Sequence, residues 1–168
     1  GGGVGGRGHS PPNNTPDSFT DVTDENGVYK QKDLINFKIP KDLPSNTIEK
    51  HNWDLSIMTT LGAMDYTALD ILVRWFRQCC DVMGDTEEEV CSPFHSSSQG
   101  LNRLDKYLGK LLTEKHHLEN KMFGRKFRTY VEFCMAKGTS PKGRVLVAIM
   151  SLRFRLDRQS GKTLNQVH

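Results

Sequence analysis

The chain has 168 residues, 36% of them hydrophobic and 26% charged, a composition that suits one domain with a modest core. Its net charge of +3 hides an asymmetry: residues 1–100 hold 8 Lys and Arg against 15 Asp and Glu (−7), and residues 101–168 hold 15 against 5 (+10). No run of about 18 apolar residues argues for a transmembrane helix, no secretory signal is visible, and four cysteines in such a chain fit reduced thiols in the cytoplasm or nucleus.

In chain order, residues 1–28 read as a disordered leader. They are rich in Gly, Pro and Asn, with few apolar side chains to offset ordering entropy. Residues 29–165 read as a single α+β domain with an acidic first half and a basic second half. Two main helices are expected to pack on a small antiparallel sheet that includes a C-terminal β-hairpin. The first β-like pieces are Leu34–Ile39 and Asp54–Thr60, interrupted by Pro40 and Pro44. Tyr66–Met83 then turns helical, with Leu69, Leu72, Phe76, Cys79 and Met83 on one stripe that Ala68 and Trp75 widen. Asp65 is the expected N-cap and Gly84 the stop.

Asp85–Ser98 is acidic, then serine-rich, and reads as a loop. A second helix is expected over Leu101–Met122, capped by Ser98. Written as heptads, Leu101 and Leu108 share one position with Lys115 and Met122, while Leu104, Leu111 and Leu118 share the other. That seam either packs on the domain or joins subunits. From Lys126 the period changes to two. Phe127, Val131, Phe133 and Met135 alternate with Lys126, Arg128, Tyr130, Glu132 and Cys134. Lys137–Gly143 is dense in turn residues, and Val145–Leu156 ends in the alternating Leu152-Arg153-Phe154-Arg155-Leu156. A hairpin centred near Ser140-Pro141 sets Arg128 opposite Arg153 and Lys126 opposite Arg155.

The polar face of that hairpin is the sharpest candidate site. It collects Lys126, Arg128, Tyr130, Arg153 and Arg155, extended by Lys121, Arg125, Lys142, Arg144 and Arg158. Arginine forks suit phosphates and a tyrosine ring offers a stacking platform. The plainer reading of the charge split is a dipolar domain whose halves neutralise each other. Ser140 is exposed in this reading, and a phosphate there would subtract charge beside the basic face. Cys80, Cys91 and His95 form a candidate zinc set, because Cys-x3-His matches one half of a Cys3His module; His116, His117 or Cys134 would be the fourth ligand. A core of ordinary thiols is the alternative. No nucleophile turn, His-Glu-x-x-His pattern or Gly-rich loop after a strand is present, so no catalytic residue is assigned.

These features point to a non-enzymatic nucleic-acid-binding protein, with RNA as the partner and no required cofactor. The first alternative is a matrix-type assembly protein on an anionic membrane, peripheral on its inner face and self-associating through Leu101, Leu104, Leu108, Leu111 and Leu118. A small basic chain with a disordered leader is similar in composition to viral matrix and accessory proteins. The second alternative is a protein–protein adaptor using the apolar stripe around Trp75 and Phe76.

Overall fold

The run Val145-Leu146-Val147-Ala148-Ile149-Met150 is buried on every side. An element that is apolar all round belongs at the centre of a fold, and here it is a helix, not a strand. In the computed structural model, which describes residues 27–167 and side chains through Ser160, no β-strand occurs among the described residues. The elements are α1 (Gln31–Leu34), α2 (Thr47–Met64), a 3-10 turn (Tyr66–Ala68), α3 (Leu69–Cys80), α4 (Glu87–Ser96), α5 (Asn102–Leu112), α6 (Lys115–Leu118), α7 (Gly124–Lys137) and α8 (Gly143–Val167). The central helix α8 packs against α2, α3, α4 and α5.

The fold is therefore all-α, and the expected α+β architecture with its sheet is corrected. Asp54–Thr60 lies inside α2, whose buried face is Lys50, Trp53, Ile57 and Leu61 at helical steps. The expected hairpin is the helix pair α7–α8. Phe127, Tyr130 and Cys134 are buried on α7, while Phe133 and Met135, assigned to the core by the period-two reading, are exposed. The turn-rich stretch Lys137–Gly143 does join the two elements. Gly138 takes a left-handed conformation (φ 72°), and the Gly138 and Thr139 N–H groups donate to the Met135 and Cys134 carbonyls, closing α7.

The acidic stretch expected as a loop is α4. Thr86 and Glu89 form a reciprocal capping box, and three glutamates in the first turn favour the positive end of the helix dipole. The expected long second helix breaks at Thr113–Glu114 into α5 and α6. Leu101, Leu104 and Leu108 are buried in the domain's own core, and Leu111 and Leu118 pack against it. The leucine seam is thus occupied internally and is not a free self-association surface. Trp75 and Phe76, the expected adaptor surface, are likewise buried. The expected leader, residues 1–28, lies outside the described residues except for Gly27 and Val28. No helix among the described residues is long and apolar enough to cross a membrane.

Candidate functional site

Helix α5 buries Leu104, Leu108 and Leu112 against α8 and turns Arg103, Lys106 and Lys110 outward. Steps of three and four residues put these three cations on one face of the helix. They line a groove of about 410 Å³ walled by Gln31 and Leu34 of α1 and by Ser140 and Pro141 of the α7–α8 loop. Among the described residues, no carboxylate lines it. None of the three cations forms an ion pair with a described residue. Tyr107 stands among them, its ring edge-on to Phe37 (6.3 Å between centroids) and 5.8 Å from the Lys110 ammonium. Lys142 lies close enough to feel the Lys106 charge. Burial lowers its ammonium below the usual lysine range; Arg144 and Lys106 add to that and Asp105 opposes it. Cations crowded together are stabilised by an anion from outside.

The residues expected to form a basic sheet face are scattered instead. Lys126 pairs with Glu87, Arg153 with Asp157 (3.1 Å), and Arg128 donates to the Leu118 carbonyl. Arg155 donates to the Val82 and Gly84 carbonyls and lies 3.7 Å from Asp85. Arg144 is fully buried and Tyr130 is buried, its hydroxyl accepting from the Lys142 N–H at 2.9 Å. The physical reason is the change of period. On a helix, Arg128 points away from Lys126 and Tyr130, which lie one turn apart, so no single face unites the three. Lys121, Arg125 and Arg158 remain exposed. Two of these pairs, Lys126–Glu87 and Arg155–Asp85, link the basic half to the acidic half, so part of the charge split is neutralised internally. Arg103, Lys106 and Lys110 could have been found from the sequence, as the polar face of the helix expected there.

A second groove of about 850 Å³ lies between α4, α7 and α8. Its floor is apolar, including Tyr130, Phe133, Val145 and Ile149, and its rim carries Arg125 and Lys126 beside Glu87 and Glu88. Mixed rim charges do not make an anion site. Cys91 and His95 also line it, but Cys80 does not join them. Cys80 sits at the end of α3, beside Lys50 and Asp54 of α2. The candidate zinc set is therefore not assembled. Burial and the Glu87 charge push the Cys91 thiol up to about 12, so it is not a thiolate nucleophile at neutral pH. Cys79 and burial raise the Cys80 thiol further. Searches against family models, curated proteins and solved structures found no match to this chain.

Proposed function

We propose that this protein is a non-enzymatic RNA-binding protein that holds the phosphate backbone along the α5 groove. The observation that carries this reading is the triad Arg103, Lys106 and Lys110, which forms no ion pair with a described residue and lines a groove to which no described carboxylate contributes. Tyr107 among the cations gives a base a ring to stack on. A concave site with a ring inside suits a strand entering it better than a flat lipid surface.

The test is fluorescence anisotropy with single-stranded RNA across a salt series, beside sedimentation with anionic vesicles. Affinity should fall steeply with salt. Arg103→Glu, Lys106→Glu and Lys110→Glu together should abolish binding. Neutral Gln substitutions at the three positions should flatten the slope of log K against log salt by about 2, from roughly 0.7 per contact. Arg125→Glu with Lys126→Glu should leave most of the affinity in place. RNA affinity unchanged by the α5 substitutions would overturn the proposal. Binding to anionic vesicles with none to RNA would replace it with the matrix-type reading.

A further inference from the structure

Helix α6 opens with Glu114-Lys115-His116-His117, and this turn faces the backbone of Lys41 in the segment joining α1 to α2. The two imidazoles lie side by side, tilted by 41° with centroids 3.9 Å apart, and each directs its Nε2 at the same Lys41 carbonyl oxygen, at 3.0 Å in both cases. The other nitrogen of His117, Nδ1, lies 2.9 Å from the Leu111 carbonyl oxygen. His117 is 2% exposed, so water does not complete its contacts. A neutral imidazole has one N–H, yet two carbonyl oxygens face this ring. With Nδ1–H donating to Leu111, Nε2 is left aiming a lone pair at an acceptor. A second proton on the ring or a metal ion between the two atoms resolves the conflict, and the Glu114 and His116 donors beside it favour the metal ion.

The rest of the arrangement is that of a metal centre. Donor atoms of Glu114, His116 and His117 lie within 4.8 Å of one another, and they form the cluster of this kind among the described residues. Tetrahedral zinc with bonds of about 2.0–2.1 Å needs donors roughly 3.3 Å apart. The two Nε2–Lys41 oxygen separations of 3.0 Å are near that edge already. His116 and Glu114 are exposed and can adjust the remaining distances by side-chain rotation alone. Histidines that bind metals donate their second N–H to a backbone carbonyl, which is the role of the Leu111 contact. Two imidazoles with oxygen donors select zinc-like transition ions over calcium or magnesium.

We infer that Glu114, His116 and His117, with the Lys41 carbonyl oxygen, form a structural site for a zinc-class divalent ion that clamps the Lys38–Leu43 segment onto α6. Its ligands are distinct from the α5 cations, although Tyr107 lines both clefts.

The test uses the full chain, stripped with EDTA and titrated with ZnCl2 and, separately, CoCl2. One zinc per chain should bind, raising the thermal midpoint by roughly 5 °C. Cobalt should give the visible absorption of a four-coordinate nitrogen–oxygen site, with no thiolate charge-transfer band. His116→Ala and Glu114→Gln alter exposed side chains, so the variants should fold. Each should weaken zinc binding at least tenfold and lose the shift in midpoint. Three outcomes would overturn the inference: no zinc binding by the native chain, binding that survives both variants, or a cobalt spectrum carrying the thiolate band.

Discussion

His95, near the end of α4, packs against the rings of Tyr130 and Phe133, with centroids 5.6 and 5.9 Å away. Its backbone carbonyl accepts from the Lys142 ammonium at 3.2 Å. Burial, then the charges of Lys142 and Lys137, hold the imidazole below its ordinary value of 6.5. The sign of the effect follows from proton counting. Below about pH 6.5 the unfolded chain protonates this histidine while the folded chain resists, so unfolding takes up a proton. Stability contributed by His95 is therefore complete above about pH 6.5 and is lost as pH falls toward the lowered folded value. Urea midpoints measured between about pH 7.5 and 5.5 should decline on acidification. His95→Phe keeps the ring contacts and removes the titration, so its decline should be shallower. Equal slopes in the two proteins would show that His95 is not the group responsible. The sequence placed His95 in a zinc set because Cys-x3-His is a ligand spacing. It could not show that Cys80 faces α2 while Cys91 faces the carbonyl of Val145.

Helix α5 passes close under the loop into α8. A Cβ on Gly109 would lie 2.1 Å from the Pro141 carbonyl oxygen, and one on Gly143 would lie 2.2 Å from Leu108 Cγ. At Gly109 the loop backbone, and at Gly143 the Leu108 side chain, occupies the space a methyl group would need. Gly109→Ala would by itself favour a helix interior, by up to about 1 kcal/mol. Here it should instead destabilise by about 1–3 kcal/mol, read as a lower urea midpoint with an unchanged m-value. Unchanged or increased stability would mean that the loop yields freely. The sequence shows Gly109 only as a weak point in a helix, since its close neighbour is 32 residues away along the chain. The same limit explains the misread hairpin. Phe127, Val131, Phe133 and Met135 fit a period of two, while Phe123, Phe127, Tyr130 and Cys134 fit the helix that forms. The buried run at Val145–Met150 has no polar face to fix its period at all. The stripe of α3 was legible up to Cys79, though the helix ends at Cys80 and leaves Met83 exposed, and the leucines of α5 were legible too, because each of those helices has one wet side.

At the scale of the whole molecule, one buried ion pair joins four helices. The Arg144 N–H donates to Asp105 Oδ1 at 2.9 Å, and Asp105 Oδ2 accepts from the Ser98 hydroxyl at 2.8 Å while lying 3.7 Å from Arg144 Nε. The guanidinium donates onward to Gln78 Oε1 (2.8 Å) and to the carbonyls of Trp75 (3.3 Å) and Ser97 (3.0 Å). It lies over the rings of Trp75 and Phe94, 4.7 and 4.9 Å from their centroids. Burial raises the Asp105 carboxyl and lowers the Arg144 guanidinium, and each charge opposes the other's shift. A charge count made Arg144 part of the anion-binding surface, because composition cannot distinguish an arginine that faces solvent from one the fold uses. Removing one partner leaves the other charge buried and uncompensated, so Arg144→Met or Asp105→Leu alone should cost about 3–5 kcal/mol. The double variant should cost less than the sum of the two, because it removes both charges from the interior. A denaturant series on the four proteins measures this coupling. Additive losses would mean that the two side chains act separately. The same variants separate a structural arginine from a ligand-binding one. Where Arg144→Met remains folded, its RNA affinity should keep the native salt slope, because the lost cation never met a phosphate.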